Sequence, residues 1–161
     1  MSTMIDAGAA MESGTHSSTV AQFPTQSHRI KRMGGRPLVF DGSELAMAMS
    51  FSSKIPYWYE INLYRTKEQR FVVVLRQFFV SDKEEDCVHG WEFSNLDEAI
   101  EMLLQYDAGQ DVEMGLGIDP NTALPAELSA YAMDLRAQVK DRRQHFSSLV
   151  GEFLYELESG Q

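Results

Sequence analysis

The sequence predicts an α+β domain: a small antiparallel sheet of three to four strands with a packed helix, followed by a long C-terminal amphipathic helix and preceded by a disordered N-terminal tail. Three observations carry this expectation. The stretch YWYEINLYRTKEQRFVVVLRQFFV, Tyr57 to Val80, sets two runs of aromatic and β-branched residues around one polar turn, the pattern of a hairpin. SNLDEAIEMLLQYDAG, Ser94 to Gly109, opens on capping residues and carries an apolar stripe at helical spacing. From Leu128 to Leu157, apolar residues recur every three or four positions.

Taken in chain order, residues 1–35 are rich in Ser, Thr, Gly, Ala and Gln, lack periodicity and end in Gly34-Gly35, so they read as a disordered tail. A domain over 36–109 is expected in the order β-α-β-β-β-α. It opens on RPLVF, where Pro37 suits a first-strand residue; DGS then turns the chain, and Ser43 can cap a short helix ELAMAMS with Glu44 in its first turn. In the hairpin, Tyr57, Tyr59, Ile61 and Leu63 share one face and Trp58, Glu60, Asn62 and Tyr64 the other. The strand after TKEQR is apolar on both faces, which predicts a central position. CVHGWEF forms the next strand, with Cys87, His89, Trp91 and Phe93 facing one way. In the helix that follows, Ser94 or Asn95 is the cap, Leu96, Ile100 and Leu103 lie on the stripe, and Gly109 is the stop. A linker over 110–124 carries Gly115, Gly117 and Pro120, and Pro125 then starts a helix over 125–158. At 1.5 Å per residue its stripe runs about 45 Å, longer than a small sheet covers, and Gly151 marks a point where it could break and fold back.

Composition narrows the functional classes. A chain of 161 residues suits one domain with a core that needs neither metal nor disulfide. The single cysteine, Cys87, excludes an intramolecular disulfide and favours a cytoplasmic setting, and no apolar run is long enough for a signal h-region or a membrane span. The net charge of −10 opposes general affinity for nucleic-acid backbones or anionic lipid. Charge is also polarised along the chain: from Gln77 to Leu135 only Lys83 is basic against fourteen acids. The basic residues of HRIKRMGGR, before the domain, make only a small nucleic-acid footprint.

Motifs for catalysis or cofactors are weak. Cys87 and His89 alternate onto one strand face, as a thiol and its base would, but spacing identifies no third group to orient the histidine, and a small core residue beside a polar one is the preferred explanation of the pair. As metal ligands they supply two of the four that structural zinc usually takes, with His145 too remote in sequence to count. DKEED and DAGQDVEMGLGID both lack the EF-hand pattern, GLG in MGLGID is not a dinucleotide fingerprint, and no phosphate-binding GxxxxGK loop is present, so no cofactor or metal is expected. Glu60, Glu92 and Asp97 could pair as acid and base, but twenty-four acids make some proximity a matter of chance. Trp58, Tyr64, Phe78 and Arg76 could form an aromatic platform of the kind that stacks bases, which the acidic surroundings oppose.

The leading expectation is a non-catalytic protein-interaction or regulatory module that binds a protein partner or itself through Leu135, Val139, Phe146, Leu149, Phe153 and Leu157 of the C-terminal helix. The first alternative is an acidic, nucleic-acid-mimicking inhibitor of a DNA- or RNA-binding protein, presenting Asp82, Glu84, Glu85, Asp86, Glu101, Asp107, Asp111 and Glu113. The second is a cysteine-dependent enzyme using Cys87 and His89.

Overall fold

Residues 24–113 and 118–160 are described by the structure, a computed structural model. Five strands, β1 (Gln26–Ile30), β2 (Leu38–Met49), β3 (Tyr57–Thr66), β4 (Phe71–Phe79) and β5 (Cys87–Phe93), pair in sequence order as one antiparallel sheet. Two helices follow, α1 (Leu96–Gln105) and α2 (Pro125–Ser159), with a 3-10 turn at Ala108–Asp111 between them.

The three- to four-stranded sheet expected from sequence is therefore corrected to five strands curled into a half-barrel. Two local misreadings account for the difference. QSHRI, assigned to the tail, is β1, and 31–35, also assigned to it, belong to the β1–β2 connection; residues 1–23 of the tail reading lie outside the described residues. ELAMAMS, assigned to a short helix, is the second half of β2: its A-M-A-M order alternates small and large residues with period two, and pairing with β3 outweighs the helix preference of Ala, Leu and Met. Gly151 does not break α2, which continues to Ser159. Of the linker, 114–117 with Gly115 and Gly117 lie outside the described residues.

The curl originates in β2. Its first part pairs with β1 through Leu38–Gly42, its second with β3 through Gly42–Met49, and the register slips between Glu44 and Ala46, a bulge that bends the strand. Gly42 sits at the bend because a Cβ there would lie 2.5 Å from the carbonyl oxygen of Arg65. The β1–β2 hairpin thus folds back over the sheet until its tip meets the outer edge of β5: Met33 N–H donates to Val88 O at 2.9 Å and Arg32 Nη1 to Gly90 O at 2.8 Å. Side chains from the first and last strands consequently share one cluster on the concave side, where Ile30, Tyr64, Val72 and Val74 pack with Leu38, Phe40 and Val88.

The convex side carries the helices. Tyr57, Tyr59, Ile61, Leu63, Val73 and Leu75 form the sheet half of the main core, and Ala99 and Leu103 of α1 with Phe146, Leu149, Val150 and Phe153 of α2 form the helix half. β4 reads as apolar on both faces because one face meets each cluster. Asn95 caps α1 by accepting from Glu98 N–H at 2.9 Å, and at the start of α2 the Glu127 carboxylate accepts from Leu124 N–H at 3.2 Å.

Gly42→Ala should lower unfolding stability by about 1–3 kcal/mol, since a backbone carbonyl must give way. Gly151→Ala should raise it by about 0.5–1 kcal/mol, since it removes a helix-interior glycine whose Cβ would meet nothing within 4 Å. Urea denaturation of both variants checks the pair.

Candidate functional site

The alternation of β5 sends Cys87, His89 and Trp91 to the convex side, beyond the region where α1 covers the sheet. α1 presents Glu98, Glu101, Met102 and Gln105 toward them, and the chain returns through Tyr106 and the 3-10 turn to bring in Asp111 and Glu113. These groups, with Met33 and Phe79, line an open cavity of about 940 Å³. Its aromatic wall consists of His89 stacked on Trp91 at 5.7 Å between centroids, with Tyr106 5.9 Å from each.

Asp111 lies at the base of this cavity, its side chain only 7% exposed. Tyr59 Oη donates to Oδ2 at 2.9 Å and Tyr106 Oη to both carboxylate oxygens at 2.8 and 2.9 Å, while His89 Nε2 is 3.9 Å from Oδ1. Donation to a carboxylate makes these hydrogen bonds stronger than neutral ones. Burial first, and the Asp111 charge second, push both phenols well above the ordinary tyrosine range, so they remain neutral donors throughout the physiological range.

The turn that carries Asp111 is itself held against α2. Asp107 accepts from Gly109 N–H and pairs bidentately with Arg143, Nε to Oδ1 at 2.8 Å and Nη2 to Oδ2 at 2.9 Å; these bonds, the Arg143 contribution largest, bring its carboxyl down to about 2. Gly109 is needed for the close approach: a Cβ there would lie 2.8 Å from Val139 Cγ1 and 2.9 Å from Arg143 Nε. α2 is fastened to the sheet at Tyr57, whose Oη donates to Asp141 at 2.6 Å and whose ring lies 3.6 Å beneath the Arg142 guanidinium.

A second cavity of about 400 Å³ adjoins the first, sharing Phe79, Asp111 and Glu113, and is completed by Glu84 of the β4–β5 turn and by Tyr131, Asp134, Leu135, Gln138 and Arg142 of α2. The two form one trough. Among the described residues that line it, six are carboxylates and only Arg142 is basic.

The residues singled out from sequence divide between core, surface and this trough. Phe146, Leu149 and Phe153 are buried in the protein's own core and Leu157 packs at its margin, so the lower half of the stripe is occupied internally. Upstream, Leu135 and Val139 are half-buried, and Leu124, Leu128 and Met133 are exposed. Of the acids, Glu84, Glu101, Asp111 and Glu113 line the trough; Asp82, Glu85 and Asp86 lie on the exposed β4–β5 turn; Asp107 is tied to Arg143. With Asp111 turned inward and Asp107 neutralised, these eight do not form one free array. The Trp58, Phe78 and Arg76 platform lies on the concave side, opposite both helices, with Tyr64 further in, inside the concave cluster.

Cys87 and His89 do share a face, and the structure supplies the third group that spacing could not: Asp111, beside His89. The electrostatics nevertheless oppose a nucleophile, because burial and then the Asp111, Glu113 and Asp86 charges push the thiol up, where a reactive cysteine needs it pushed down. Among the described residues, no group of three or more His, Cys, Asp and Glu is placed to hold a metal ion, and no helix is long and apolar enough to cross a membrane. Comparison with protein-family models, curated proteins and solved structures gave no match.

Because the Cys87 thiol is raised, its alkylation by iodoacetamide should be slower at pH 7 than that of an unstructured cysteine peptide, and the midpoint of its rate against pH should lie above about 8.5. Asp111→Asn should move that midpoint down. A midpoint below the peptide's would contradict the electrostatic assignment.

Proposed function

We propose that the protein is a non-catalytic protein-interaction module that receives a basic segment of a protein partner in the trough between α1, β5 and the upstream half of α2. The observation that carries this reading is the trough's lining: six carboxylates, three stacked or edge-on aromatic rings, and a single basic side chain. A lysine or arginine entering it would meet ring faces at one level and carboxylates at the next, the combination that favours organic cations. A protein segment suits the shape better than a small ligand, because the trough is open and continues along the face of α2 that carries Tyr131, Leu135 and Gln138, where Leu128, on the same side one turn earlier, is exposed.

This retains the interaction role expected from the length of the helix and moves the contact. Phe146, Leu149 and Phe153 cannot serve a partner while they hold α2 to the sheet; the upstream half, together with the acids, can. The acidity read from the sequence as possible nucleic-acid mimicry becomes, on this reading, the means of selecting a basic peptide.

The test is fluorescence anisotropy with labelled peptides in which lysine or arginine alternates with apolar residues, against matched peptides carrying glutamate. Basic peptides should bind and acidic ones should not, with affinity falling as salt rises from about 50 to 300 mM. The combined variant Glu98→Gln, Glu101→Gln and Glu113→Gln should weaken binding about tenfold, from roughly 0.5 kcal/mol per partly exposed charge. Equal binding of acidic and basic peptides, or no loss in the folded triple variant, would overturn the reading.

A further inference from the structure

The acidic trough has a basic counterpart on the same molecule. From Arg29 to Val39 the sequence carries four basic residues and no acid, and the structure gathers them at the tip of the β1–β2 hairpin. Arg32 is engaged there, donating from Nε to Arg36 O at 2.7 Å and from Nη1 to Gly90 O at 2.8 Å. Arg29, Lys31 and Arg36 are exposed, and among the described residues they form no ion pair. Val39, opposite Arg29 in the β1–β2 register, is 68% exposed and Met33 58%, so the tip intersperses cationic with apolar side chains.

Tip and trough adjoin. Met33 lines the trough, while its backbone N–H, with Arg32, holds the tip on the outer edge of β5. Without an ion pair to the trough's acids, the pinned tip borders its own trough and does not neutralise it. Two complementary patches side by side are what a twofold axis between them satisfies: rotation lays each tip on the other copy's trough, with the two Met33 side chains, at the boundary of the patches, near the axis. The net charge of −10 opposes association at long range. At about 0.1 M salt, however, charges are screened beyond about 10 Å, so the apposed patches decide the outcome.

We infer that the basic segment the trough receives is the β1–β2 tip of a second copy, exchanged reciprocally in a twofold dimer, with Lys31 and Arg36 of each tip among Glu98, Glu101 and Glu113 of the other's trough. The inference rests on the trough as a receptor for cations, proposed above, and adds the identity of its occupant.

The experiment is sedimentation velocity of the full chain and of two charge reversals, Lys31→Glu with Arg36→Glu in the tip and Glu98→Lys with Glu101→Lys in the trough, all at exposed positions. At about 100 μM chain and about 0.1 M salt the unaltered protein should sediment as a dimer, with Kd rising about tenfold or more at about 0.5 M salt. Each reversal alone should give monomers. An equimolar mixture of the two should restore the dimer, because the acidic tip then meets the basic trough and the basic tip the acidic trough. A monomeric unaltered chain would overturn the inference, as would a dimer that either reversal leaves intact or a mixture that stays monomeric. The tip-reversed chain, whose own tip no longer competes, separates this inference from the reading beneath it. If it binds the alternating lysine peptide while the unaltered chain is a monomer, the trough reading stands and only the occupant is wrong; if it binds no basic peptide, both fall.

Discussion

The buried carboxylate of Asp111 joins parts of the chain that sequence separates widely. Tyr59 brings the centre of the sheet to it, Tyr106 the C-cap of α1, and its own backbone the 3-10 turn that packs on α2. Phe146 closes the junction from α2, its ring 5.5 Å from that of Tyr59 and 5.1 Å from that of Tyr106. A charge so far from water is costly unless it is hydrogen-bonded, and two phenol hydroxyls held neutral by the same burial meet that requirement. Phe146, Leu149, Val150 and Phe153 hold α2 to the sheet, and the Asp111 tie, with the Arg143–Asp107 and Tyr57–Asp141 contacts on either side, sets the 3-10 turn and the C-terminal end of α1 against it and so shapes the trough.

The curl of the sheet and the charge polarity of the chain then divide the surface. By folding the β1–β2 hairpin onto β5, the sheet fills one end of its concave side with aliphatic and aromatic side chains, and both helices are left to the convex side. Of the acidic half of the sequence, Glu84 of the β4–β5 turn, Glu98 and Glu101 of α1, Glu113 after the 3-10 turn and Asp134 of α2 line the one trough. Charge clustering along the sequence therefore becomes charge clustering in space. Like charges so arranged repel one another, and that repulsion is the physical ground for proposing a basic partner segment.

What the sequence disclosed followed from periodicity. The β3–β4 hairpin, the capped α1 and the long α2 each carry a strong local pattern, and the burial of β4 on both faces was readable from its unbroken Val-Val-Val-Leu run. β1 was missed because QSHRI is short and polar on its outward positions, with Ile30 alone fully buried. The A-M-A-M alternation of β2 was visible but was read through residue preference instead of through period, and pairing with β3 decided the outcome. The site was less legible. Acidity and the common face of Cys87, His89 and Trp91 could be read, whereas the Tyr59–Asp111 bond spans fifty-two positions and leaves no local trace. Nor does spacing reveal that Phe146, Leu149 and Phe153 belong to the core while Leu128 and Met133, on the same helix, stay in solvent.

The role of Asp111 as the junction is tested most directly by a thermodynamic cycle measured by urea denaturation. Asp111→Ala alone leaves two buried hydroxyls without their acceptor and should cost about 2–4 kcal/mol. In a Tyr59→Phe, Tyr106→Phe background those hydroxyls are gone, and the same substitution should cost much less. An Asp111→Ala cost near zero, or one equal in both backgrounds, would show that the carboxylate does not hold the sheet, α1 and α2 together.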